Sequence, residues 1–176
     1  AAITSLIGSC SVGTINPGEV GVLVCFGKPD DKILDPGIHV YSPWCKIERM
    51  STRTQTYTMA GNGREGNADS SVTILTRDQL SVSVDVSVMF HLNKQNTVQV
   101  FQTFGEHYDN SIVHPLVRTS VRDAASEFNA VDLVDQRQRF HVRMNELVRE
   151  NLASTLRSRN VPTGAVVIDS ILLRNV

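Results

Sequence analysis

The sequence predicts an α+β domain, an antiparallel-rich curved sheet with helices packed on one face. Three observations predict it. Between Leu80 and Leu92, Leu80, Val82, Val84, Val86, Val88, Phe90 and Leu92 alternate with Ser81, Ser83, Asp85, Ser87, Met89 and His91. Strand side chains alternate faces, so one face of this run is apolar and the other mostly polar. After residue 93 the apolar spacing becomes helical. The β-branched stretch Ala165–Leu173 then returns the chain to the sheet. Strands, then helices, then one returning strand is the order of an α+β fold. The Leu80–Leu92 strand would extend about 43 Å at ~3.3 Å per residue. Covered on one side only, it belongs in an antiparallel sheet.

Residues 1–12, AAITSLIGSCSV, are small and apolar, and no charge occurs before Glu19. A bilayer span needs about 20 apolar residues, so two readings stand. The stretch is the end of a transmembrane anchor, or the end of a bacterial secretory signal. In the second, Ile7-Gly8-Ser9-Cys10 is similar to a lipobox, and Cys10 receives a lipid as in a lipoprotein. The competing reading makes Cys10 a small free or buried thiol near a membrane helix. Residues 1–14 are thus expected to be a membrane tether and residues 15–176 the folded domain.

Residues 14–18, TINPG, predict a turn and Glu19–Gly27 a strand rich in β-branched residues. Residues 28–37 supply Pro, Asp and Gly for a reversal. Gly37–Met50 is expected as a second strand, broken near Pro43 because proline lacks a ladder donor. Thr54–Ala60 and Val72–Thr76 are short strands on either side of a polar, Gly-rich loop, and Arg77-Asp78-Gln79 is a turn. Thr97–Phe104 is a short helix. Ile112, Leu116, Val117, Val121, Ala124, Ala125 and Phe128 form one stripe, predicting a helix over 111–127, which Pro115 kinks or opens. A helix over about 130–158 carries Leu133, Val134, Phe140, Met144, Leu147, Val148, Leu152 and Leu156. Asn160, Pro162 and Gly164 end it. Nothing marks a repeat or a second folded domain.

At 176 residues the chain suits one domain with one core. A net charge of −1 gives nucleic-acid binding no support. Gly61, Gly63 and Gly66 spell G-x-G-x-x-G, but the run leads into a strand rather than a helix, so a surface loop is expected. His39, His91, His107, His114 and His141 form neither an H-x-x-x-H pair nor HExxH, so no metal site is expected. His91 falls on the polar strand face. Cys25 lies in an apolar run that would destabilise a thiolate, which predicts a structural cysteine. A hairpin centred near residue 32 sets Cys25 opposite His39, with Cys45 ~20 Å beyond, too far for a disulfide. Only a sharp fold-back at Pro43-Trp44 would join the two cysteines. There is no G-x-S-x-G nucleophile elbow. Trp44 is either a membrane-interface anchor or a core residue. The stretch 137–159 has six arginines and two glutamates, a solvated helix face or a surface for a neighbouring subunit or anionic lipid.

Several segments together resemble the SPFH family of stomatin, prohibitin, flotillin and HflK/C proteins, the prohibitin-like members above all. INPGEVGVLVCFGK is similar to the family's first strand, with its V-x-x-G-E-x-G/A-V pattern. DPGIHVYSPW is similar to its G-x-H/F-x-x-x-P-W/F segment. TRDQLSVSVDVSVMFHL resembles its T-K/R-D-G-hydrophobic alternation. YDNSIVHPLVRTSVRDAASEF resembles its helix with Y…P-x-x-R-x-x-x-R-D, and AVVIDSILLRNV its closing strand. The resemblance covers nearly all of residues 15–176. It implies a membrane-associated scaffold rather than an enzyme, with no cofactor. The implied partners are membrane lipid, further copies of the chain, and a membrane protease or channel. Relatives dip the Pro43 region toward the bilayer, so Val40, Tyr41, Pro43 and Trp44 are the expected membrane contacts. The alternative function is a regulatory subunit of a membrane-bound ATP-dependent protease. Relatives continue into a long coiled coil after a segment like the LLRN that ends this sequence.

Overall fold

The computed structural model describes residues 10–60 and 71–175. Residues 1–9 and the glycines of the G-x-G-x-x-G run lie outside them. Strand β8 (Ser81–Leu92) is the spine of the larger sheet. It pairs antiparallel with β6 (Gln55–Met59) along Val86–Phe90, with β7 (Val72–Leu75) along Ser81–Val84, and with β9 (Val166–Asn175) along Asp85–Leu92. Its inward residues Val84, Val86, Val88, Phe90 and Leu92 are buried, as the alternation predicts. Leu80, expected to begin this face, instead lies in the turn before β8 and is exposed.

The helices cover this apolar face. α1 (Thr97–Phe104) follows β8 and packs on the smaller sheet described below. A π-helical turn (Asp109–Val113) opens α2 (His114–Ser126). Pro115 has no N–H for the preceding turn, and there the helix widens, His114 N–H bonding the Asp109 carbonyl five residues back. Val117, Val121, Ala124 and Ala125 of α2 join Phe140, Met144, Val148, Leu152 and Leu156 in one core with β8.

The helix expected over 130–158 is two helices, α3 (Ala130–Asp135) and α4 (Arg137–Ser158), because Gln136 leaves helical backbone at φ −111°, ψ 34°. Val134, one helical step round α3 from the buried Leu133, faces outward and does not belong to the buried stripe. α4 is fastened to β9 by two side chains. Arg137 Nη2 donates to the Leu173 carbonyl at 2.7 Å, and His141 Nε2 lies 2.7 Å from the Ile171 carbonyl oxygen. Arg143 bonds both carboxylate oxygens of Glu127 at 2.9 Å. Two of the helix's arginines thus serve the fold itself.

The turn TRDQL locks the larger sheet to the helices. The Thr76 hydroxyl donates to Asp78 Oδ1, and the same oxygen accepts the Ala130 N–H at 3.1 Å, capping α3 from across the chain. These bonds, the Thr76 hydroxyl first, hold the Asp78 carboxyl below its ordinary pKa. Gln79, where the family pattern has glycine, adopts φ +63°.

Candidate membrane-contact site

The N-terminal strands form a second unit against α1. The stretch 28–37, expected as a reversal, holds strand β3 (Lys28–Leu34). The reversal is only Phe26-Gly27, since Cys25 pairs directly with Lys28. Asp30–Lys32 bulge out opposite Leu23, because Val22 pairs with Ile33 and Val24 with Pro29. Strand β2 (Glu19–Cys25) stands between β3 and β5 (Cys45–Ser51). The expected Gly37–Met50 strand is therefore two strands in different sheets. β4 (Gly37–Tyr41) pairs with β1 (Ser11–Ile15), while β5 pairs with β2. Between them the chain folds back, with Cys45 N–H donating to the Ser42 carbonyl at 2.9 Å.

That fold-back overturns the expectation of unbridged cysteines. β5, not the 37–41 segment, lies beside β2, and Cys25 sits directly opposite Cys45. The two form a disulfide with Cα atoms 4.1 Å apart. Such bridges persist where thiols are kept oxidised and are rare in a reducing cytosol. Cys10 is free and exposed.

The β1–β4 ribbon crosses β2 at Gly21, a glycine of the first-strand motif. A Cβ on Gly21 would lie 2.5 Å from Ile15 Cδ1 and 2.9 Å from Ile47 Cγ2. One ribbon face carries Tyr41 and turns toward Ile47, which both come within about 3 Å of a Cβ placed on Gly13. The other face is open. Val12 pairs with Val40 and Thr14 with Ile38, so Val12, Ile38 and Val40 share it, all at least 64% exposed.

The expected contact residues are thus separated. Val40, Pro43 and Trp44 are exposed, while Tyr41 is half-buried on the inner face. Ser11 pairs with Tyr41, so the chain enters β1 beside the Ser42–Cys45 turn. Cys10 and the apolar segment before it therefore join the domain at the end that carries Pro43 and Trp44.

Phe26 is not among the contacts expected from the sequence. It is 82% exposed and stacks on Trp44, ring centroids 6.1 Å apart and planes within 17°. The disulfide joins Cys25, the residue before Phe26, to Cys45, the residue after Trp44, which holds the two rings side by side. Gly27 was the available signal, since a two-residue turn with glycine second marks a hairpin tip.

Several charged groups among the described residues have partners within the fold. Among the described residues no three His, Cys, Asp or Glu side chains converge as metal ligands. His91 Nδ1 lies 2.8 Å from Asp169 Oδ1, and the Thr54 hydroxyl donates to Asp169 Oδ2 at 3.2 Å. Here the carboxylate is in the middle. A hydrolytic triad needs the imidazole between hydroxyl and carboxylate. His39 lies 2.6 Å from the Asp35 carbonyl oxygen and His114 stacks on Tyr57, so these two also act within the fold. Burial, reinforced by Asp109, pushes the Tyr108 phenol up to about 12. No described helix is long and apolar enough to cross a membrane.

The chain belongs to the SPFH domain / Band 7 family, whose family model matches residues 13–176. The members of this family are membrane-associated and scaffold-like. The chain is similar to the Mycobacterium tuberculosis protein named Protease Rv3090, 24% identical over 135 residues, 75% of this chain and 44% of that protein. It is also similar to Prohibitin-2 of Schizosaccharomyces pombe, 26% identical over 101 residues, 57% of this chain and 32% of that one. In each case the match spans less than half of the curated relative.

Proposed function

We propose that the chain is the head of a membrane-associated scaffold that packs side by side with further copies and organises a patch of membrane or the proteins in it. The observation that carries this reading is the gathering of exposed apolar residues at one end. Val40, Pro43 and Trp44 lie there, where the uncharged segment through Cys10 joins the fold. Anchoring through the segment that precedes β1, by a transmembrane span or a lipid on Cys10, would hold this end at the bilayer. Tethering many copies to one surface raises their effective concentration, so weak lateral contacts suffice. The Cys25–Cys45 bridge supports a position on the oxidising side of that membrane.

A second reading is a regulatory subunit of a membrane-bound ATP-dependent protease; a protease partner fits the word protease in the name of the mycobacterial relative. Short-span cross-linking in the native membrane, followed by mass spectrometry, separates the two. Ladders of this chain with itself support the scaffold; a cross-linked ATP-dependent protease without self-ladders supports the second. Monomers alone contradict both. Fatty-acid labelling of wild type against Cys10→Ser tests the lipid anchor: loss of label in the variant supports it, and an unlabelled wild type rules it out.

A further inference from the structure

Phe26 occupies a backbone position that its side chain disfavours. Phe26 and Gly27 are the two central residues of the β2–β3 hairpin, with φ of +51° and +80°. Two successive positive values are the pattern of the type I′ turn, which favours Asn, Asp or Gly at the first position. A bulky residue at positive φ is a true outlier, and such outliers gather at working sites. Packing does not explain it, since the ring is 82% exposed and Trp44, on which it stacks, is itself 60% exposed. The chain therefore accepts both a strained backbone and a hydrated ring to put phenylalanine at this tip.

The surroundings select the partner. Phe and Trp side chains bury roughly 150–250 Å² each, so at these exposures the pair presents on the order of 300 Å². A standard protein interface needs about 800 Å² per partner. Two aromatic rings on a narrow tip are instead suited to the headgroup layer of a bilayer, where such rings concentrate. The charge agrees. Cys25–Lys28 and Ser42–Lys46 contain two lysines, Lys28 and Lys46, and no carboxylate. Lys46 pairs with Glu48 at 2.7 Å yet keeps its side chain 76% exposed. Basic residues beside a membrane surface are drawn to anionic lipid.

We infer that Phe26 and Trp44, held together by the Cys25–Cys45 disulfide, form an aromatic wedge that seats in the interfacial layer of an anionic lipid bilayer. This rests on the membrane-association reading and adds to it the inserting residue, the clamp and the lipid class.

The chain's single tryptophan is Trp44, so its own fluorescence reports the site. The 176-residue chain is mixed with phosphatidylcholine vesicles, with or without phosphatidylglycerol, and followed by flotation, Trp44 emission and quenching by lipids brominated near the headgroup. The wedge predicts a blue-shifted, quenchable Trp44 on vesicles containing phosphatidylglycerol. Phe26→Asn puts a residue favoured at positive φ in the turn, so its thermal midpoint is unchanged or higher. Its partition falls about tenfold or more, and Phe26→Leu recovers part of the loss. Flotation with Trp44 still in water, or flotation equal in Phe26→Asn, overturns the wedge and leaves membrane association standing. Absence of flotation for every variant overturns the wedge and removes direct lipid contact from the membrane reading. A Phe26-dependent dimer in sedimentation without lipid overturns it in favour of a second copy as partner.

Discussion

Breaking the Cys25–Cys45 bridge tests how the tip is built. The bridged residues are 20 apart in sequence, and chain-entropy arithmetic gives a loop of that size roughly 3 kcal/mol. The β2–β5 ladder from Glu19–Ser51 to Val24–Lys46 holds the same strands without the sulfurs. The folded state therefore changes little, and the loss comes mainly from a freer unfolded chain. Replacing both cysteines by serine, or adding a dithiol reductant, should lower the unfolding free energy by about 2–4 kcal/mol. For a domain of this size that is a fall in Tm of roughly 5–15 °C, and total stabilities of about 5–15 kcal/mol leave most of the chain folded. Urea denaturation followed by circular dichroism measures the shift. Thiol alkylation and intact mass supply the count: one modified cysteine, Cys10, without reductant and three after reduction and unfolding. Three modified cysteines in the unreduced native protein, or no change in stability on reduction, would mean that Cys25 and Cys45 are not bridged.

Other outcomes follow from single positions. Gln79→Gly relieves a left-handed backbone in the TRDQL turn and should stabilise by about 1 kcal/mol in urea denaturation; destabilisation would mean the glutamine side chain holds the turn. The Asp78 carboxyl has a depressed pKa in the folded state. Its contribution is thus present above the ordinary aspartate pKa of about 4 and lost as pH falls through the lower folded value. Asp78→Asn should flatten that acid limb, and an unchanged limb in a pH series of unfolding curves contradicts the assignment. Gly21→Val forces the β1–β4 ribbon off β2 and should cost about 1–3 kcal/mol, with proteolysis starting first within Ser11–Tyr41.

What was legible in the sequence depended on whether a segment's own pattern decided its structure. Val84, Val86, Val88, Phe90 and Leu92 recur at every second position and all are buried, and β8 runs through them. β3 was hidden because KPDDKIL is polar, and its middle bulges away from β2 instead of alternating. The α3–α4 break was hidden because apolar spacing runs on from Leu133 to Phe140, so only the backbone at Gln136 shows it. The disulfide was missed for a topological reason: local hairpin counting paired β2 with the next extended segment, whereas the chain sends β4 to β1 and brings β5 home to β2. Pro43-Trp44 marked that fold-back, but nothing local says which strand follows it. Of the residues gathered at this end, the sequence pointed to Val40, Pro43 and Trp44. Phe26 was not, since its residue type contradicts the turn it occupies.

If this head assembles laterally at a membrane, the assembly is visible in the membrane-extracted protein. Electron microscopy of the natural full-length protein, extracted from its own membrane in mild detergent, tests it most directly. Lateral assembly gives rings or arrays of side-by-side copies, with the Phe26–Trp44 ends in the detergent belt. Isolated monomers with no partner, or assemblies whose Phe26–Trp44 ends point away from the belt, would contradict it.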